Sequence, residues 1–173
     1  MITGTPAFKV LGDPIQQGSM TCKSKHVPGM KANLQPDNEK VLKHWRGLVA
    51  AAAMQWAGKA SEYQPVALVV TYSLARPAYH YGTGRNAGTL KAGYETTFPT
   101  KFGTRDMDKL ERAIFDSLQA AGTLQNDAQI CDVAHKKRFI RGPVTAPPKP
   151  DAGDVLPVPG VVIRIYPLGD DDV

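Results

Sequence analysis

Between residues 106 and 121, Leu110, Ala113, Ile114, Ser117, Leu118 and Ala121 recur at i, i+3, i+4, i+7, i+8 and i+11. That spacing draws one apolar stripe along an α-helix, and Gly122 stands where such a helix ends. The segments on either side carry the other period. Pro65–Leu74, with Val66, Leu68, Val69, Val70, Thr71 and Tyr72, reads as a strand buried on both faces. Gln129–Ile140 reads as a strand ending in Lys136-Lys137-Arg138. A strand, a helix and a strand in this order restrict the chain to folds that mix a sheet with packed helices.

The remaining elements extend this pattern. Ala7–Leu11 alternates and predicts a short strand, followed by a polar turn segment from Gly12 to Ser19. Pro36-Asp37-Asn38 marks a helix start, and Val41, Leu42, Trp45, Leu48, Val49, Ala52 and Trp56 form its stripe up to Gly58. Val161–Tyr166 reads as a closing strand. The order is strand, helix, strand, helix, strand, strand, without internal repeats. Two long connections interrupt it. Residues 76–105 are rich in glycine and basic side chains, and such long loops in compact domains are usually functional or disordered. Residues 142–159 hold six prolines and read as an excursion. Lys23, Lys25 and Lys31 fall in a further loop. One domain over 1–169 and an acidic tail over 170–173 account for the chain.

Composition narrows the partners. Hydrophobic residues make up 42 %, enough for a sizeable core. The longest apolar-rich stretch, Leu48–Ala53, is too short to span a bilayer, and no basic segment precedes an apolar one at the N-terminus. Cys22 and Cys131 are too few for a disulfide scaffold, so free thiols in a reducing cytoplasm are expected. Lys and Arg number 21 against 16 Asp and Glu, a formal net charge of +5, and three of the acids are Asp170, Asp171 and Asp172. A body more basic than its total suggests a polyanion, nucleic acid first. Gly82-x-Gly84 with Gly88 neither follows a strand nor opens a helix, so no nucleotide cofactor is expected. The histidines are scattered, and the cysteines lack zinc-finger spacing.

The acids around the second helix carry the most specific chemistry. Asp106 and Asp108 sit two apart where a loop enters the helix, and Asp127 opens the next strand. A helix followed by a strand packed beside it predicts that Asp127 returns near Asp106 and Asp108. Convergent carboxylates suit a hard divalent cation, which keeps several waters and polarises a phosphodiester. Asp106 also fits a helix N-cap, and Asp108, Arg112 and Asp116, four apart, also fit a solvated charge ladder. The pattern leaves both readings open. Arg85, Lys91, Lys101 and Arg105 in the long loop are candidate phosphate contacts, with Tyr79, His80 and Tyr81 as stacking surfaces.

Asp106-x-Asp108-x-Leu110-x-Arg112-Ala113-x-Phe115-Asp116-x-Leu118, then Gly122, then Asn126-Asp127-Ala128-Gln129-Ile130, resembles the RusA family of Holliday-junction resolvases. Gly12-x-Pro14-x-x-Gln17-Gly18-Ser19 resembles the family's early Gly-x-Pro segment, and Pro159-Gly160-Val161 the turn into its last strand. Lys136 stands where members often carry a lysine. The resemblance implies a small α+β domain, a mixed β-sheet packed with two main helices, that acts as a homodimer on branched DNA such as four-way junctions. It implies Mg²⁺, with Mn²⁺ as a substitute, held by Asp106, Asp108 and Asp127. Arg112 takes the place of a catalytic lysine, and Lys109, Lys136, Lys101, Arg105, Arg85 and Lys91 are the expected DNA contacts. The resemblance also implies phage or prophage recombination. Lys109 replaces the family's usual asparagine, Arg112 its lysine, and Asn126 the first aspartate of its Asp-Asp pair. A junction-binding protein without catalysis is the rival reading, and a basic adaptor with no nucleic-acid role a third.

Overall fold

The computed structural model describes residues 7–22, 34–58, 61, 63–101, 105–141 and 153–169. The loop lysines Lys23, Lys25 and Lys31, residues 142–152 of the excursion and the acidic tail lie outside the described residues. Among the described residues six strands and two α-helices follow in order: β1 (Ala7–Leu11), β2 (Met20–Cys22), β3 (Leu34–Pro36), α1 (Glu39–Ala53), β4 (Val66–Leu74), α2 (Met107–Ala120), β5 (Ile130–Phe139) and β6 (Gly160–Pro167). Four strands form a mixed sheet in the order β1-β6-β4-β5, and β2 pairs with β3 separately. β6 runs antiparallel to both β1 and β4, whereas β4 and β5 are parallel. The expected α+β fold, a mixed sheet with two main helices, is therefore the one observed.

Both helices pack on one face of the sheet. Leu42, Trp45, Val49 and Ala53 of α1 and Leu110, Ala113, Ile114 and Leu118 of α2 are buried against Val66, Leu68, Val70, Tyr72, Ile163 and Ile165. Val41 and Leu48, expected on the α1 stripe, are exposed. The buried positions 42, 45, 49 and 53 form a narrower seam, because α1 packs mainly on α2 and β1. β4 is buried on both faces as its composition predicts, with Thr71 and Ser73 covered on the side away from the helices. The cover there is no helix. The Leu156 N–H donates to Ser73 Oγ at 2.9 Å, and Arg164 on β6 grips Asp154 through two hydrogen bonds, at 2.6 and 3.1 Å. The Arg164 guanidinium holds the Asp154 carboxyl below its ordinary range, chiefly through this hydrogen bonding.

Two glycines are demanded by geometry. Gly122 takes φ +68° just past α2, the left-handed turn that closes a helix, and its N–H donates to the Gln119 carbonyl at 2.9 Å. A Cβ on Gly18 would stand 1.8 Å from Asp37 Oδ1 and 2.5 Å from Asn38 Oδ1. Only glycine lets residues 12–19 lie this close to the start of α1. There Asn38 accepts from the Gly18 N–H and donates to the Gln16 carbonyl, both at 2.9 Å.

Candidate active site

The polar 12–19 segment and the start of α2 are distant in sequence and locked together in space. Gln16 Oε1 accepts the Asp106 N–H at 2.6 Å, and the Gln17 N–H donates to the Lys109 carbonyl at 3.1 Å. Arg105 forms an ion pair with Asp13. From β5, Lys137 Nζ donates to the Arg105 carbonyl at 2.7 Å. Asp106 occupies the N-cap position with extended backbone, but its side chain makes no capping hydrogen bond. That carboxylate is 57 % exposed, with Lys109 Nζ 3.2 Å from Oδ2. Asp108, in the first turn, is exposed as well. The clamp consumes backbone groups and leaves both carboxylates at the surface.

One turn further on, Glu111 faces the sheet, where His135 Nε2 lies 3.7 Å from its carboxylate. Tyr72 behind it is fully buried, and burial, with the Glu111 charge adding, pushes its phenol far above the ordinary range. Arg112 is exposed and makes no ion pair among the described residues. Asp116 is not part of an Asp108–Arg112–Asp116 ladder, because it pairs with Arg46 of α1 instead.

Asp127 stands elsewhere. His135 and Lys137, in the second half of β5, meet the start of α2, so α2 runs antiparallel to β5. The residues before β5 therefore lie at the other end of the helix, where Gln119 Nε2 donates to the Gln125 carbonyl at 3.4 Å. Fourteen residues of helix span about 20 Å. The expectation that Asp127 returns beside Asp106 and Asp108 within one chain is thus corrected. Among the described residues no three His, Cys, Asp or Glu side chains stand together as a metal-binding group. The error lay in the direction of travel, since a parallel β4–α2–β5 crossover must bring the chain back to the starting edge before β5 begins.

Around Asp127 the turn is built on amide side chains. Asn126 Oδ1 accepts the Ala128 N–H at 2.9 Å. The buried Gln129 accepts from the N–H groups of Gln125 and Asn126 at 2.8 and 3.2 Å, and donates to the carbonyls of Ser61 and Gln64 at 2.7 and 3.1 Å. Asp127 itself is exposed.

The remaining basic candidates divide between β5 and the long loop. Lys136 is half-buried on β5, in the row opposite Thr71 and so on the face away from the helices. Lys101 lies over the Tyr79 ring, Lys91 Nζ donates to the Tyr79 carbonyl at 3.0 Å, and exposed Arg85 sits in a short 3-10 turn, Gly84–Asn86. Lys137, Gln16 and Phe98 escaped the sequence reading. The alternation that puts His135 on the helix side also puts Lys137 there, and that signal was available.

Residues 22–145 match the endodeoxyribonuclease RusA family. The chain belongs to the RusA family. No curated protein matches it. Membership assigns the chain to a class of DNA-cutting nucleases, and no described helix is long and apolar enough to cross a membrane. In RusA terms, the structure explains one departure directly. Asn126 in place of aspartate caps its turn as well as the acid would, because both side chains present a capping oxygen. The motif glutamine, Gln129, is a structural tie rather than a chemical group. The RusA assignment implies a divalent cation, and the donor chemistry fits. Asp106 and Asp108 offer exposed hard oxygens two residues apart, and Mg²⁺ binds through one or two carboxylates together with water and substrate oxygens. Lys109, at the family's asparagine position, places its ammonium on one of these carboxylates.

Proposed function

We propose that the chain is a Mg²⁺-dependent endodeoxyribonuclease, with Mn²⁺ as a substitute ion, that resolves four-way DNA junctions by paired nicks as a homodimer in phage or prophage recombination and repair. The observation that carries this reading is the start of α2, where two exposed carboxylates, that of Asp106 paired with Lys109, project from a surface supplied with Arg105, Lys109 and Lys137. Asp106 and Asp108 would hold the ion, which supplies Lewis-acid polarisation of the scissile phosphate and a water acidified for attack. Arg112, exposed one turn after Asp108, has the position and fixed charge to neutralise the developing phosphorane. Lys136 is the second candidate for that role.

The placement of Asp127 supports a site shared between two chains. Among the described residues β5 pairs with β4 alone, and Cys131, Asp132, Val133 and Ala134 along it are exposed. Antiparallel pairing of two such edges, centred anywhere from Cys131 to Ala134, sets one chain's Asp127 opposite residues 135 to 141 of the other. That stretch contains Lys137, which holds the residue before Asp106. A two-fold dimer of this kind carries two equal sites, as two opposed nicks require.

Cutting of a labelled synthetic junction tests the proposal. Wild type should nick with Mg²⁺ or Mn²⁺ and not without a divalent ion, and Asp106→Asn and Asp127→Asn should each bind the junction without nicking. Refolding the two variants together should restore about a quarter of the cutting, because half the dimers formed at random contain one intact shared site. No recovery would place each site within one chain. Binding by wild type without nicks under any divalent ion would favour the rival reading of a junction-binding protein that has lost catalysis.

A further inference from the structure

Residues 76–101 join β4 to the approach of α2, yet their side chains do more than close a loop. Three aromatic side chains are substantially exposed among the described residues, and two of them, Tyr79 at 42 % and Phe98 at 55 %, lie here. Each carries a cation. Lys101 Nζ is 4.1 Å from the centre of the Tyr79 ring, and the Arg138 guanidinium is 4.7 Å from that of Phe98. The charge of the loop is one-sided. Arg76, Arg85, Lys91 and Lys101 face a single acid, Glu95, whose carboxylate accepts the Gly93 N–H at 2.7 Å.

The frame beneath these rings is firm. Arg76 donates to the carbonyls of Ile140, Tyr94 and Glu95 at 3.1, 2.6 and 3.3 Å. His80 is buried against Tyr94 at 4.3 Å and Phe139 at 5.0 Å between ring centres. Burial, aided by the charges of Arg76, Lys101 and Lys91, holds His80 below its ordinary pKa, so it packs as a neutral ring. Pro99 is buried immediately after Phe98 and anchors the backbone from which that ring projects. A loop needed only for connection gains nothing by fixing two aromatic rings in water.

We propose that Tyr79 with Lys101 and Phe98 with Arg138 form a stacking platform for unpaired nucleobases, the cations meeting the phosphates between them. This rests on the reading of the chain as an enzyme of branched DNA and supplies it with a means of distinguishing branch from duplex. A base within a duplex has both faces covered by its neighbours, whereas a base opened at a branch point exposes a face that an aromatic ring can take. The platform is tied to the carboxylate end of the molecule. Arg138 on Phe98 lies at the same end of β5 as Lys137, which holds the Arg105 carbonyl beside Asp106, and on the opposite face of the sheet.

Fluorescence anisotropy with a single-stranded oligonucleotide, a four-way junction and a linear duplex tests this. A 2-aminopurine at the branch point reports on base opening. Phe98→Ala and Tyr79→Ala should each weaken single-strand and junction binding by about 5- to 150-fold and leave duplex binding within about twofold. Phe98→Trp and Tyr79→Phe should retain affinity. Wild type should change the 2-aminopurine signal and the double alanine variant should not, with unchanged melting temperature showing that the fold survives. Equal loss on all three DNAs, or none on any, would overturn the platform. Strong single-strand binding that depends on the two rings in a protein that never nicks would sink the nuclease reading and leave the platform standing.

Discussion

At its start α2 meets the 12–19 segment through Gln16, Gln17 and Asp13, and at its end it runs into a turn closed by Asn126 and Gln129. Both ends are rich in polar side chains, and they use them differently. The start is held by backbone-directed contacts and an Arg105–Asp13 ion pair, which leaves Asp106, Asp108 and Arg112 at the surface. The end commits Asn126 and Gln129 to backbone, with Gln129 alone making four hydrogen bonds, and leaves the Asp127 carboxylate exposed. The contrast separates groups that shape the chain from groups available to a substrate, within a motif that is continuous in sequence.

The largest expected effects fall on those available groups. Asp106→Asn and Asp108→Asn should each abolish measurable nicking while the melting temperature holds, since both carboxylates are exposed and cap nothing. Arg112→Ala should lower the nicking rate by roughly 10²–10³, by analogy with removal of a preorganised transition-state donor, and Arg112→Lys should retain or raise it. A wild-type rate for Arg112→Ala in single-turnover assays would move that role to Lys136 or Lys109.

At the other end the same kind of substitution should act on stability. Gln129→Ala removes four hydrogen bonds that a buried side chain makes to part-buried backbone groups and should cost about 1–3 kcal/mol. For a chain of this size each kilocalorie lowers the melting point by about 2–4 °C, readable by calorimetry. If Gln129→Ala melted like wild type yet failed to cut, the division between the two ends of α2 would break down.

Smaller effects sharpen the picture. Lys109→Asn removes a cation from Asp106 and should improve the Mg²⁺ midpoint for cutting by up to about fivefold, the equivalent of one exposed ion pair. Asp154→Asn should lower stability by roughly 0.5–1 kcal/mol at neutral pH. Because the Asp154 carboxyl is held below its ordinary value, the wild-type advantage is present above the usual carboxylate range and is lost as acid protonates the folded state. Melting curves of the two proteins should therefore converge at low pH.

Much of this fold is legible in the residues. Ala7–Leu11 alternates and forms β1 with those bounds, and the α2 stripe buries as spaced, because packing on one face writes itself into the period. β2 and β3 leave no such trace. Three residues each, they pair through backbone, and no period can appear over so short a run. The candidate residues at the start of α2 were legible by type and spacing. The position of Asp127 was not, because it depends on β5 lying parallel to β4, and neither strand's own composition states its direction. Phe98 was missed because an isolated exposed ring looks the same in sequence as a buried one.

β6 is the last of the described strands, and it lies between β1 and β4 in the sheet. Until it emerges, β1 has no hydrogen-bonding neighbour among the described strands, and β4 has at most β5 beside it. Assembly of the sheet therefore waits until residue 167 has been made, and its contacts span long sequence separations, a topology associated with slow folding. A chain cut short before residue 160 would lose an interior strand and expose two sticky edges, a target for chaperones and proteases. Solubility should thus fall off sharply, not gradually, as truncation passes that point.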